Sequence, residues 1–308
     1  MINKSISEIK NSFHAGKINK IDFAHAMNNK FNVLNDFQLN MNDNLFEEIS
    51  ITQKGVIVTL NVLNCRVKFF INEDDIRETP KEIFNFNSYE YNETFFLNKF
   101  ASNSKIIFDI GSNIGWFSVL FNEIKSVKKI YAFEPLLLNF KNLIRNLKLN
   151  NSSKVDAFNI GLSSKNESLE MHYNKSLTGA TSIMNNLETK SDKFKCEFET
   201  MDFFVRTNNI KKIDLIKIDV EGAELLVLKG GIEAINEFKP ILFVELLRKW
   251  CKNFNYHPNE VIEILNKIGY LCFEVTDKLN LISSITDKTI ATNFFFLHKQ
   301  RHSELMKF

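Results

Sequence analysis

The rhythm of hydrophobic and polar positions changes near residue 105. Ahead of it, residues 1–48 are polar, with apolar positions at Ile6, Ile9, Phe13, Ile18, Phe23 and Met27. That spacing predicts one or two amphipathic helices packed on something else. From 50 to 71, "SITQKGVIVTLNVLNCRVKFFI" alternates apolar and polar residues around Asn61 and Asn64, which predicts a two-stranded antiparallel unit ended by Asp74 and Asp75. The segment "NSYEYNETFFLNKFA" (87–101) predicts a helix. Beyond Lys105, apolar runs at 105–110, 129–133, 154–159, 213–218, 241–246, 270–275 and 293–298 alternate with helical periods at about 115–124, 137–149, 222–238 and 258–268. Such alternation predicts an α/β fold with a seven-stranded, mostly parallel sheet and helices on both faces. Between 161 and 210 no helical period stands out. There "SLEMHY", "GATSIMN" and "KCEFETM" predict short strands, an antiparallel insertion over the carboxyl ends of the main sheet. The expected organisation is a helical and β-hairpin extension over 1–100 followed by one domain over 101–308.

Composition narrows the class without deciding it. Of 308 residues, 44% are hydrophobic and 25% charged, ordinary values for a globular protein with a sizeable core. Lys+Arg 39 against Asp+Glu 37 leaves a net charge of +2, which argues against nucleic acid or an acidic membrane surface as the main partner. Cys65, Cys196, Cys251 and Cys272 lie far apart, with no C-x-x-C pair, so reduced buried thiols are expected and zinc is not. No window has the length of a signal-peptide core or a membrane span, and a cytoplasmic location follows as an expectation. Thirty Phe among abundant Asn, Lys and Ile match AT-rich coding better than a sticky aromatic surface.

Chemistry enters with "IIFDIGSNIGWFSVLF", 106–121. A buried strand stops at Asp109, passes Gly111, Ser112, Asn113 and Gly115, and resumes at helical spacing. In an open parallel sheet the first such strand-to-helix turn is where ligands bind. Its D-x-G-x-x-x-G spacing is not the dinucleotide fingerprint, which places glycines at the first, third and sixth positions. A helix N-terminus with free backbone N–H groups still receives a small carboxylate, as on the amino-acid end of S-adenosylmethionine, whose ammonium Asp109 could meet. Glu134, at the end of the next strand in "IYAFEP", is placed to accept both hydroxyls of a ribose. Its plain alternative is a solvated strand-end acid.

Two more strands end in acids. In "IDLIKIDVEGAELLVLKGG" (213–231) Asp219 and Glu221 are delivered to the mouth of the sheet. Glu224 is explained by the helix dipole alone, about 0.3–1 kcal/mol. In "KPILFVELLRKW" the run Ile241 to Val244 is broken by Glu245. Acids ending buried strands need a partner or a purpose, and Asp109, Glu134, Asp219 and Glu245 together read as a ligand-facing rim.

"FDIGSNIGWFS", "YAFEP", "NIGLSSKNESLEM" and above all "LIKIDVEGAELLVLKGG" followed by "PILFVEL" resemble the FkbM-type family of S-adenosylmethionine-dependent methyltransferases, within the class I, Rossmann-like superfamily. The glycine turn is shared across that superfamily, whereas "KIDVEGAE" in this position is particular to FkbM-like proteins. The resemblance implies that Asp109, Gly111, Ser112, Asn113 and Gly115 hold the methionine end of the cofactor and that Glu134 binds its ribose. Adenine would sit near Asn159 and Ile160, although Asn159 also suits a turn that bonds its own backbone. Asp219 and Glu221 would face the methyl group, either one serving as base, with Glu245 and His172 on the acceptor. His172 and His257 are alternative bases whose settings, in a hairpin and before a proline, equally suit structural histidines. Asp219, Glu221 and Glu245 permit a divalent cation but no spacing demands one, and no metal is expected. The implied acceptor is a hydroxyl on a sugar, glycan precursor or secondary metabolite, with "NKSLTGATSIMNN" (174–186) either lining its pocket or merely covering it. Two other readings stay open at this point: a nicotinamide-dependent oxidoreductase or epimerase, weakened by the missing glycine and the lack of a Tyr-x-x-x-Lys pair, and a non-catalytic nucleotide-binding protein. The N-terminal elements are left to cover the cofactor site or to form a homodimer contact.

Overall fold

The computed structural model describes residues 4–41, 45–184 and 191–306. Two helices, α1 (Ile6–His14) and α2 (Lys20–Asn40), precede a three-stranded antiparallel sheet of β1 (Phe46–Thr52), β2 (Gly55–Val62) and β3 (Cys65–Phe70). A third strand appears where the sequence predicted two, because Gly55, at φ +127, turns the chain inside what reads as one alternating run. The edge of β3 is covered by side chains. Asn150 receives the Lys68 N–H at 2.8 Å and donates to the Lys68 carbonyl at 2.7 Å, and Asn146 receives the Phe70 N–H at 3.0 Å. Amides on a helix thus satisfy groups that would otherwise form an open sheet edge.

Helices α3 (Thr79–Phe86) and α4 (Tyr91–Ala101) lead into the main sheet. It is built from β4 (Ile106–Ile110), β5 (Lys129–Phe133), β6 (Val155–Phe158) and, after an insertion, further strands. Between the first three lie α5 (Trp116–Glu123) and α6 (Leu137–Leu149). The insertion comprises β7 (Gly161–Leu162), β8 (Glu167–Tyr173) and β9 (Asp192–Glu199), in the order β7-β9-β8. The chain then runs through α7 (Met201–Thr207), β10 (Leu215–Ile218), α8 (Glu224–Gly230), α9 (Ile232–Phe238), β11 (Ile241–Glu245), α10 (Arg248–Asn253), α11 (Pro258–Lys267), β12 (Tyr270–Val275), β13 (Leu279–Ile282) and β14 (Asn293–His298).

The main sheet has the order β13-β12-β14-β11-β10-β4-β5-β6. Neighbours from β11 to β6 are parallel, and β14 runs antiparallel to both β11 and β12. This is the Rossmann-like α/β sheet the sequence predicted, with eight strands instead of seven. The added strand, β13, is a four-residue hairpin partner of β12, too short to show a period. Successive residues of each strand feed opposite cores. Ile107 packs with Trp116, Leu120 and Leu143, while Phe108 and Ile110 pack with Phe204, Leu228 and Val244.

Other departures have local causes. The helix predicted over 222–238 divides at Gly230-Gly231, where a Cβ on Gly230 would lie 2.0 Å from the Ser163 carbonyl oxygen. The insertion does contain a helix, α7, because Thr200 caps it by receiving the Phe203 N–H at 3.1 Å. "GATSIMN" forms a 3-10 turn over Thr178–Ala180 and a single bridge from Ser182 to His172 instead of a strand. Its last residue, and positions 185 and 186 of the proposed acceptor stretch, lie outside the described residues. Among the described residues no helix is long and apolar enough to cross a membrane.

Candidate active site

The order of the strands reverses between β4 and β10, which opens a crevice at the carboxyl edge of the sheet. A cleft of about 860 Å³, counting its open mouth, lies there. Gly111, Asn113, Glu134, Asp219, Glu221 and Glu245 all line it. Their order follows the sheet: Glu134 after β5, Gly111 and Asn113 after β4, Asp219 and Glu221 after β10, and Glu245 at the end of β11.

The glycine turn is shaped by close backbone approach. Gly111 has φ +76, and a Cβ there would lie 1.8 Å from the Asp219 carbonyl oxygen. Asn113 also adopts the left-handed conformation, at φ 47, and its Oδ1 is buried without a hydrogen-bond partner. Glu134 braces the turn. One carboxylate oxygen receives the Asn113 N–H at 3.0 Å and the other the Leu136 N–H at 3.0 Å. Burial pushes this carboxyl up to about 7, against the pull of both N–H groups.

Other expected cofactor residues stand behind the wall of the cleft. Asp109 is fully buried and accepts from the Ser118 hydroxyl at 2.6 Å. Its opposite charge is Lys217, its register partner on β10, at 3.6 Å. Lys217 also lies 3.1 Å from Asp219 and donates to the Gly111 carbonyl at 3.3 Å. Burial alone would lower the Lys217 value, but Asp219 and Asp109 outweigh it and hold the ammonium above the ordinary lysine value. An ammonium from the chain therefore occupies the place beside Asp109 that sequence reasoning gave to a cofactor ammonium. Ser112 donates to the Asp109 carbonyl at 2.7 Å, and Gly115 packs on Leu143. Asn159 donates to the carbonyls of Glu134 and Pro135, both at 2.9 Å, which is the turn-bracing role. Ile160 packs into the core, and Gly161 and Leu162 line the cleft in its place. His172 bonds Ser191 at 2.9 Å outside the cleft, while Met171 beside it lines the wall. His257 caps α11, receiving the Asn259 N–H at 3.2 Å.

The acids at the other end of the cleft crowd one another. Oxygens of Asp219, Glu221 and Glu245 lie within 4.8 Å, close enough for one small cation to touch all three. Burial and then the Asp219 charge push the Glu221 and Glu245 carboxyls well above the usual carboxylate range. Glu221 sits at φ 55 and its carbonyl accepts from the Ser182 hydroxyl at 2.8 Å, so the insertion is tied to this turn. Glu224 faces inward, receiving the N–H groups of Val220 and Gly222 and the Tyr256 hydroxyl at 3.0–3.1 Å.

Sequence reasoning missed Tyr89 and Glu90, which line the cleft from the extension, whereas Thr178 and Thr181, which line it from the insertion, fall in the 174–186 stretch offered as a pocket lining. Asp75 joins these two segments, accepting from the Thr178 N–H at 3.1 Å and from its hydroxyl. No periodicity signals such contacts.

Glu78, Glu90, Glu134 and Glu224 are each pushed up to about 7 from 4.5, with burial the first cause in every case. Between these two values the folded chain binds more protons than the unfolded chain, so stability falls as pH rises. The melting temperature at pH 5.5 is expected to exceed that at pH 8 by several degrees, measured by circular dichroism. A melting temperature that climbs with pH would show that these carboxyls ionise at no cost in the fold.

Residues 109–272, just over half of the chain, match the family described as Methyltransferase FkbM domain. The chain is 31% identical over 142 residues to Methyltransferase 1 of Beauveria bassiana (strain ARSEF 2860), covering 40% of this chain and 57% of that protein. It is 34% identical over 179 residues to Methyltransferase sdnD of Sordaria araneosa, covering 49% and 66%. These alignments span less than two thirds of either relative. Among solved structures, a methyltransferase FkbM from Methylobacillus flagellatus KT is similar with a TM-score of 0.41 at 18% identity, covering 71% of this chain and 53% of that one.

Proposed function

We propose that this chain, which belongs to the FkbM methyltransferase family, uses S-adenosylmethionine to methylate a hydroxyl on a sugar, glycan precursor or secondary metabolite. The observation that carries the reading is the cleft itself: the Glu134 carboxylate at one end, a glycine turn in the middle and crowded acids at the other. The residues fit the cofactor. The partnerless Asn113 Oδ1 is an acceptor suited to an ammonium, and Glu134 keeps lone pairs for ribose hydroxyls beyond the two N–H groups it holds. When bound, the cofactor supplies an electrophilic methyl carbon on a sulfonium.

The chain's own work is positioning and charge. Glu134 and the 111–113 turn fix the nucleoside and the amino acid, leaving the Asp219 end for the acceptor. Holding the attacking oxygen in line is worth up to about 7–11 kcal/mol in favourable intramolecular cases. A carboxylate within reach also removes the proton of the hydroxyl, worth about 10²- to 10⁴-fold. Asp219 or Glu221 can take that role by position. The Lys217 ammonium stands 3.1 Å from Asp219, whereas burial and the Asp219 charge hold the Glu221 carboxyl well above the usual carboxylate range.

Calorimetric titration with S-adenosylhomocysteine, the product, tests the reading. Micromolar binding is expected, and Glu134→Ala is expected to weaken it about 100-fold through lost charge-assisted hydrogen bonds and a loosened turn. Absence of both heat and thermal shift in the wild type would sink the proposal.

A further inference from the structure

Glu90 lies in the segment ahead of the family match, and nothing in the methyltransferase motifs accounts for it. It occupies the position before α4 where a side chain ordinarily turns back to cap the helix. Here it makes no capping bond, and its side chain lines the cleft instead. The backbone is left-handed at Glu90 (φ 42, ψ 53), a conformation that strains a non-glycine residue. Glycine would relieve that strain but would carry no carboxylate.

The fold fixes where this carboxylate stands. Asn293, 4% exposed at the start of β14, donates to Glu90 Oε1 at 3.2 Å. Asn293 is the register partner of Glu245 on β11. Strand neighbours lie about 4.8 Å apart, so Asn293 stands roughly 19 Å along the sheet from Glu134, with Gly111 and Asp219 between them. A nucleoside at Glu134 and an amino acid at the 111–113 turn leave the Glu90 end beyond the reacting carbon, on the acceptor side.

We propose that Glu90 is a catalytic residue which presents a negative carboxylate to the reacting centre from the acceptor side. The inference rests on the S-adenosylmethionine reading above. As the acceptor oxygen forms its bond to the methyl carbon, the carbon–sulfur bond breaks and its electron pair stays on sulfur. The hydroxyl proton passes to Glu90 in place of Asp219 or Glu221, and the O–H pair remains on oxygen. The groups facing Glu90 suit this role: Asp219 and Glu93 are negative and the Lys217 ammonium is already shared between Asp219 and Asp109. Burial and these like charges push Glu90 up to about 7, near the working range of a base at neutral pH.

No acceptor is needed to test it. Sinefungin carries an ammonium where the reacting methyl group would be, while S-adenosylhomocysteine is neutral there. Both are titrated into the wild type, Glu90→Gln and Glu90→Asp at pH 8. The wild type is expected to favour sinefungin, the Gln variant to lose at least about fivefold of that preference, and the Asp variant to retain most of it. An unchanged ratio in Glu90→Gln, or a parallel loss of both ligands, overturns the proposal and leaves Glu90 a structural residue. If neither ligand binds the wild type, the cofactor reading fails first and this inference goes with it.

Discussion

Gly111→Ala is expected to abolish detectable binding of S-adenosylhomocysteine, a loss of at least about 100-fold, and to lower the melting temperature as well. The added Cβ would fall 1.8 Å from the Asp219 carbonyl oxygen and 2.9 Å from its carbonyl carbon. These are backbone atoms at the end of a buried strand, so the clash cannot be relieved by a rotamer change. The backbone is also at φ +76, which alanine adopts at a cost of about 1–2 kcal/mol. Moving the turn away from Asp219 would break the Lys217 bond to the Gly111 carbonyl and shift Asn113 off Glu134. Calorimetry paired with a thermal melt separates the two effects. A variant that melts lower yet binds normally would show that the turn is not where the cofactor sits.

Lys217→Met is the second large expectation. Removing the ammonium leaves Asp109, fully buried, and Asp219 without their common cation. Breaking a buried pair from one side costs about 3–5 kcal/mol, and urea unfolding at pH 7.5 reads it directly. A loss below about 1 kcal/mol at pH 7.5 would mean that solvent or movement compensates both carboxylates, and that Lys217 does not organise the floor of the cleft.

Lys217 also shows how far sequence reasoning reached. Inside "LIKIDVEGAE" it reads as one polar residue in an apolar strand, and the eye goes to the acids after it. Its importance comes from register, which places it beside Asp109 on a neighbouring strand more than a hundred positions away. Asp109 was legible as a special acid for the same reason that its role was not. An ionised group ending a buried strand needs a partner, but the sequence does not say whether that partner is a ligand or a lysine. Asn159 repeats the lesson at shorter range, since its amide braces the Glu134 turn from behind the cleft wall.

What the sequence by itself determined were the features set by local chemistry. Alternating strand and helix periods required an α/β sheet with both faces covered, and seven of its eight strands fall where the apolar runs do. The glycine turn and the strand-end acids were legible from spacing, and Gly111, Asn113, Glu134, Asp219 and Glu245 line the cleft together with Glu221, whereas Asp109 stands behind its wall. Only the tertiary structure decided which groups share that cleft with them. Glu90 and Tyr89 from the extension and Thr178 from the insertion meet there, with Asn293 from the last strand bonded to Glu90, because separate segments dock on one sheet edge. The physical reason is that periodicity encodes which face a residue turns to the core, whereas contact between distant segments depends on register and docking, which no local pattern records.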